Sequence, residues 1–241
     1  AEVIDALRRG AMSIDTANPS FAGKLGAGRL ELKAALSAAE AGKPYAILTA
    51  AGRGSLPIVR GFDSAGVRNT EFFAYAPSFR GGVSVASGDI DGDGKDEIVT
   101  APGRGGGPHV RVFAGNGTAL QSFFAYESHL RTGVFVALAD LDGDGKDDIV
   151  TGLGTGAASE VRTFRGPGAL GAVFTAFSGR FGARVAAADV DADGKAEIIV
   201  TPDVGGEPEV RIFNSYGALV SLWSAFPASF RGGTNLAIIR R

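Results

Sequence analysis

An acidic stretch, GDIDGDGKDEIV at 88–99, recurs as ADLDGDGKDDIV at 139–150 and ADVDADGKAEIIV at 188–200. Its first aspartates fall at 89, 140 and 189, intervals of 51 and 49 residues. Self-similarity at a fixed period marks an architecture of repeated units, each too small to bury its apolar face without a neighbour. The rest of the unit repeats in step: HVRVFAGNG (109–117), EVRTFRGPG (160–168) and EVRIFNSYG (209–217) correspond, as do QSFFAY (121–126) and SLWSAF (221–226).

Each unit reads as four short strands. In the first, GVSVASGD leads into the acidic loop, followed by EIVTAP, HVRVFAG and LQSFFAY. Val83 and Val85 alternate with small polar residues, and Val110 and Val112 alternate with Arg111 and Phe113, the period of two expected of strands. Asn116-Gly117 is a hairpin turn signal. Four strands in about 50 residues match one blade of a β-propeller.

The ends of the chain are asymmetric. YAILTAAG (45–52), PIVRGFDSAG (57–66) and TEFFAY (70–75) match strands two to four of a blade, with no first strand before them. GGTNLAIIRR (232–241) matches a first strand, and Arg240 stands 51 residues after Asp189. The expectation is an all-β, closed four-bladed β-propeller spanning 44–241. Its composite blade is 44–81 plus 233–241, and its whole blades are 82–132, 133–181 and 182–232. An alanine lies three residues before each first-aspartate position, at Ala86, Ala137, Ala186 and Ala237, as expected where innermost strands crowd an axis.

The three loops hold 14 of the 26 acidic residues, which leaves 12 acids against 21 basic residues elsewhere. Acidic loops on a mildly basic body suit cation binding, and no dense Lys/Arg stripe with interleaved aromatics points to nucleic acid. Hard cations take oxygen ligands, and Ca²⁺ accepts six to eight in a flexible shell, whereas Mg²⁺ holds its waters and demands stricter geometry. In the first loop Asp89, Asp91 and Asp93 can turn inward, with Gly92 and Gly94 permitting the tight backbone. The Lys95 carbonyl and the Glu97 carboxylate complete the set. The matching sets are Asp140, Asp142, Asp144, the Lys146 carbonyl and Asp148, then Asp189, Asp191, Asp193, the Lys195 carbonyl and Glu197. About three Ca²⁺ per chain are expected. An EF-hand is excluded, because it needs glutamate at loop position 12 and a helix afterwards. That position is Thr100, Thr151 or Val200, and strand residues surround it. The third loop departs most, with Ala192 for a glycine and Ala196 for an acid.

GVSVASGDIDGDGKDEIVTAPG resembles the FG-GAP/VCBS-type repeat, whose Ca²⁺ loops occur in integrin alpha-chain propellers and many secreted bacterial proteins. The resemblance covers 44–241. It implies ligands at loop positions one, three, five, seven and nine, the residues named above. Integrin-type propellers have seven blades, whereas this chain supplies material for four.

Residues 1–43 differ. EVIDALRRGAM (2–12) and RLELKAALSAAEAG (29–42) read as two short helices, the second with Leu32, Ala35, Leu36 and Ala39 on one face. NPSFAGKLGAGRLELKAAL (18–36) resembles the C-terminal end of the catalytic domain of bacterial subtilisin-like serine proteases, which implies that the parent polypeptide is a serine endopeptidase. No Gly-Thr-Ser nucleophile motif is present, and the two histidines, His109 and His129, lack that family's setting. No catalytic residue is therefore assigned, and both histidines are expected in structural or exposed roles.

Cysteine is absent, which excludes disulfides and thiolate chemistry. No run of 18 or more apolar residues occurs, so no membrane insertion is expected. Position 1 is alanine with no charged-then-apolar leader, as in a mature product or excised fragment. The expectation is a monomeric, calcium-binding, non-catalytic binding or stabilising module of an extracellular or cell-surface protein, with a protein or glycan ligand. Two other readings are a polysaccharide lyase-type enzyme and a structural spacer. A lyase needs a base and a cation or arginine converging on a groove. Arg80, Arg131 and Arg231 recur at blade junctions, where a structural role is expected.

Overall fold

The period-two alternation folds as short antiparallel strands throughout the computed structural model, which describes residues 11–12, 29–30 and 47–238. The chain divides into two units, 1–47 with 63–67, and 48–62 with 68–241. In the smaller, β1 (Ala11–Met12) pairs antiparallel with β2 (Arg29–Leu30). These four residues were expected within helices and are corrected to strand. A two-residue ladder rests on backbone pairing alone and leaves no side-chain period to read. The remainder of both expected helices, and all of the protease-like stretch except Arg29–Leu30, lies outside the described residues.

The larger unit carries the repeats. A three-stranded sheet is formed by β3 (Ile47–Ala50), β4 (Ile58–Phe62) and β5 (Arg68–Phe73). Three four-stranded sheets follow. The first comprises β6 (Val83–Gly88), β7 (Glu97–Pro102), β8 (His109–Phe113) and β9 (Ala119–Phe124). Next come β10 (Val134–Ala139), β11 (Asp148–Leu153), β12 (Ser159–Arg165) and β13 (Ala169–Phe177). The last is β14 (Arg184–Ala188), β15 (Glu197–Thr201), β16 (Glu209–Phe213) and β17 (Leu219–Ser224). Each sheet runs in chain order as an antiparallel meander, so each is one blade. No helix occurs among the described residues.

Burial follows position in the blade. The second strands β7, β11 and β15 are buried along their whole length, and both faces of β7 and β11 meet a neighbouring blade. Their Thr100, Thr151 and Thr201 are fully buried. The outermost β17 is exposed along its whole length. Three apolar clusters fill the boundaries between successive blades. Val59, Ala74, Ile98 and Phe113 lie between the first and second. Val99, Val110, Tyr126, Ile149 and Phe164 lie between the second and third. Val150, Val161, Phe177, Ile198 and Phe213 lie between the third and fourth. At roughly 1.5–3 kcal/mol per buried large aliphatic or aromatic side chain, these boundaries hold the array together.

Each boundary reuses the same contacts. The second-to-last strand carries a phenylalanine at a β-bulge, paired with an aromatic on the preceding blade. Phe72 and Phe113 lie 4.5 Å apart, Phe123 and Phe164 4.8 Å, and Phe174 and Phe213 4.6 Å. An arginine two residues earlier donates back across the boundary to an alanine carbonyl: Arg111 to Ala74 at 2.5 Å, Arg162 to Ala125 at 3.1 Å and Arg211 to Ala176 at 2.7 Å.

The segment expected as the closing strand, 233–240, is not a strand over its described part, 233–238. It nevertheless starts as the earlier first strands do. Gly82, Gly133, Gly182 and Gly233 all have positive φ, and a Cβ on each would strike the preceding blade's loop backbone at Gly52–Arg53, Gly103–Arg104, Gly154–Thr155 and Asp203–Val204. Thr201 Oγ1 then donates to the Thr234 carbonyl at 3.1 Å. The β3–β4–β5 sheet stays three-stranded. A strand's ladder needs a partner edge as well as alternation, and pattern alone does not supply it.

Candidate metal centres

Each acidic loop joins the first strand of a blade to the second, so β6, β10 and β14 deliver its first aspartate and β7, β11 and β15 carry its last carboxylate. In the first loop Asp89 Oδ1 accepts from the Gly92 N–H at 2.7 Å and Oδ2 from the Gly94 N–H at 2.8 Å. Both glycines have φ of 83°, left-handed backbone that glycine adopts without steric cost. Asp91 Oδ1 accepts from the Asp93 N–H at 3.0 Å, and Asp93 Oδ1 from the Lys95 N–H at 2.8 Å. Glu97 Oε2 accepts from the Ile90 N–H at 3.1 Å, which pins the end of the loop to its beginning.

The second and third loops repeat the wiring. Asp140 takes the Gly143 and Gly145 amides at 2.7 and 2.8 Å, Asp144 takes Lys146 at 2.9 Å and Asp148 takes Leu141 at 3.3 Å. Asp189 takes Gly194 at 3.1 Å, Asp191 takes Asp193 at 3.2 Å, Asp193 takes Lys195 at 2.8 Å and Glu197 takes Val190 at 3.0 Å. Ala192, where the other loops have glycine, is held at φ of 64°, and no other described non-glycine residue has positive φ.

Three trios of carboxylates converge. Asp89, Asp91 and Glu97, then Asp140, Asp142 and Asp144, then Asp189, Asp191 and Glu197 each bring ligand oxygens within 4.8 Å of one another. Asp93, Asp148 and Asp193 stand outside these trios, each engaged with backbone amides as above, and Asp93 also with Lys95 Nζ at 3.1 Å. The electrostatics match this crowding. Burial, followed by the neighbouring aspartates, raises the carboxyl pKa values of Glu97 and Glu197. Asp148 is pushed up to about 6, mainly by burial and then by Asp142 and Asp144.

Two residues escaped the sequence reading. Arg165, at the end of β12, reaches Asp142 Oδ2 at 3.0 Å and gives the second loop its own cation. The corresponding positions are Ala114 and Asn214, so its departure from the repeat was the available signal. Asp147 is half-buried, and its N–H donates to the Asp89 carbonyl at 2.7 Å, tying the second loop to the first. Burial, then Asp96, Asp140 and Asp89, raises its pKa. Its side chain occupies the space that a Cβ on Gly88 would need. Of the histidines, His109 stacks on Phe124 at 4.8 Å with its pKa lowered by burial and then by Arg111, and His129 is exposed.

Comparison with known protein families agrees with the repeat. Residues 89–151 and 140–200 match the FG-GAP-like repeat. No curated protein sequence matches the chain. Among solved structures, similarity extends to the rhamnogalacturonan lyase YesW, at 17% identity over 70% of this chain and 36% of that one, TM-score 0.46. It extends also to the V. cholerae biofilm matrix protein Bap1, at 19% identity, 79% and 36% coverage and TM-score 0.41. The Dos1 propeller is similar at 11% identity, 73% and 44% coverage and TM-score 0.47. The chain spans less than half the length of each of these three structures. The successive meander sheets and the FG-GAP-like repeats together make this a repeat β-propeller.

Proposed function

We propose that the three loops bind Ca²⁺ and that the chain is a non-catalytic binding or stabilising module of a secreted or cell-surface protein. The observation that carries the reading is the convergence of three carboxylates in each loop to within 4.8 Å. A second observation supports a cation at the middle loop: Asp142 Oδ1 is buried with no hydrogen-bond partner. A buried carboxylate oxygen left without a donor is costly, and a cation removes that cost. The shells comprise Asp89, Asp91, Asp93, the Lys95 carbonyl and Glu97, Asp140, Asp142, Asp144, the Lys146 carbonyl and Asp148, and Asp189, Asp191, Asp193, the Lys195 carbonyl and Glu197. Bound Ca²⁺ would supply positive charge and rigidity, and the chain's own amides already hold the carboxylates in place. Calorimetric titration should give about three Ca²⁺ sites, with Mg²⁺ competing poorly. Absence of Ca²⁺ binding overturns the metal reading, and turnover of casein or of an acidic polysaccharide by the purified chain overturns the non-catalytic one.

We also infer that the four blades close into a ring, with 233–240 joining β3. Its support is the docking of Gly233 on the fourth blade, in the manner of the glycine before every earlier first strand, together with the Thr201 Oγ1 bond to the Thr234 carbonyl.

A further inference from the structure

The end of the propeller opposite the acidic loops is lined with arginine. The innermost strands β6, β10 and β14 run from this end to the loops, a distance of about 17–20 Å at about 3.3 Å per residue. Here the loops that follow β3, β7, β11 and β15 surround a cavity of about 740 Å³, with Arg53, Arg104, Thr155, Ser84, Arg184 and Asp203 among its walls. Arg53 and Arg104 occupy the same position in successive repeats. Both are exposed, and neither makes a hydrogen bond or ion pair with any described residue. Arg184 is already neutralised: it binds Asp203 Oδ1 at 2.8 Å and Asn235 Oδ1 at 2.8 Å and lies 4.7 Å over the Phe135 ring. Asp203 Oδ2 in turn accepts from Thr155 Oγ1 at 2.7 Å.

The junction arginines are tied to the loops of this cavity without lining it. The amides of Gly54, Gly105, Gly156 and Gly205 donate to the carbonyls of Arg80, Arg131, Arg180 and Arg231 at 2.8–3.0 Å, which joins the backbone of each arginine to a loop that contributes to the cavity wall. Their guanidinium groups satisfy neutral carbonyls: Arg80 those of Pro77 and Phe79, Arg131 those of Ser128 and Leu130, Arg180 that of Gly156, and Arg231 those of Ala228 and Phe230. A carbonyl orients a guanidinium without cancelling its charge. Among the described residues, Arg231 alone of these four also has a carboxylate, Glu207 at 3.7 Å. The positive charge at this end is therefore largely uncompensated, while the acids gather at the other.

We propose that this arginine-lined cavity binds a carboxylate-bearing oligosaccharide, with Arg53 and Arg104 as its principal contacts. Guanidinium groups match planar carboxylates through paired N–H donors. Ser84, Thr132 and Thr155 add short hydroxyl-bearing side chains suited to a hydroxyl-rich ligand. The cavity falls in the size range of small-ligand sites and can hold a few sugar rings. Single-stranded nucleic acid is disfavoured, because it needs free aromatic faces for base stacking and the Phe135 ring is covered by Arg184. This assignment rests on the reading of the chain as a binding module and gives that module its ligand class.

The test uses the Ca²⁺-saturated full chain, with short oligogalacturonides as the probe and dextran, dextran sulfate and oligothymidylate in parallel. Oligogalacturonide should bind, weaken with added salt, and lose roughly tenfold in affinity for each of Arg53→Gln and Arg104→Gln. Neither side chain has a hydrogen-bond or ion-pair partner among the described residues, so both variants should keep the wild-type melting temperature and Ca²⁺ stoichiometry. Arg60→Gln, on β4 and outside the cavity lining, should leave binding unchanged. The proposal is overturned by absence of oligogalacturonide binding, by binding that survives the double substitution, by equal binding of neutral dextran, or by tighter binding of dextran sulfate or oligothymidylate. Failure of the Ca²⁺ titration with retained oligogalacturonide binding would overturn the metal reading alone.

Discussion

The rings of Phe174 and Phe213 meet 4.6 Å apart across the boundary between the third and fourth blades. On the far side of the fourth blade the residue equivalent to Phe174 is Trp223, which is 47% exposed. The bulged phenylalanine that would meet it in a closed ring is Phe62. Trp223 is also the single tryptophan of the chain, so its fluorescence reports the boundary directly. Ring closure predicts blue-shifted emission, protection from acrylamide quenching, and a red shift when 233–241 are deleted. Emission like that of free tryptophan in the intact chain would refute closure at this boundary. The same deletion should lower stability, because it uncovers a sheet edge and an apolar face.

The amide of Asp147 donates to the Asp89 carbonyl, and that of Ala196 donates to the Asp140 carbonyl, both at 2.7 Å. The loops are thus joined in series across blade boundaries. Removing Ca²⁺ should loosen the whole acidic end. A ligand at a hundred times its dissociation constant adds about 2.7 kcal/mol per site. Chelator should therefore lower the melting temperature by many degrees, and hydrogen exchange should accelerate at 88–97, 139–148 and 188–197 together. Exchange confined to one loop would show that the ties do not couple them.

Acid should help the metal-free protein. Asp148, Glu97 and Glu197 have folded pKa values above their ordinary ones, Asp148 at about 6. The folded state then binds more protons than the unfolded chain between roughly pH 4 and 6, so stability falls as pH rises through that window. In chelator, melting temperature should drop from about pH 4.5 to 7. Saturating Ca²⁺ should flatten or reverse that slope, since a cation favours the ionised carboxylates. A flat profile in chelator would contradict the crowding of these groups.

Ala192 stands at φ of 64°, where Gly92 and Gly143 stand at 83° and 82°. A left-handed conformation costs an L-residue roughly 1–2 kcal/mol, partly offset by the greater backbone entropy that glycine loses on folding. Ala192→Gly should stabilise the chain by about 0.5–1 kcal/mol in denaturant titration and tighten Ca²⁺ at the third loop. A destabilised variant would show that the alanine methyl is held by contacts that outweigh the strain.

The sequence by itself determined the repeat, the blade as unit, and which carboxylates lie in each loop. Those features are local: a strand needs alternation, and an Asp-Gly loop needs its aspartates and glycines at fixed offsets. It did not determine which of five proposed ligands converge. Asp89, Asp91 and Glu97 meet while Asp93 stands apart, whereas in the second loop Asp144 joins its trio and Asp148 stands apart, a difference set by side-chain placement and not by the shared spacing. Nor did it reveal that Arg165 reaches Asp142, or that Asp147 bridges two loops, since both contacts cross between segments that only packing brings together. Scattered along the chain, Arg53, Arg80, Arg104, Arg131, Arg180, Arg184 and Arg231 form no basic run. The stacking of successive blades gathers them at one end and the acidic loops at the other, because residues about 50 apart occupy equivalent places in successive blades.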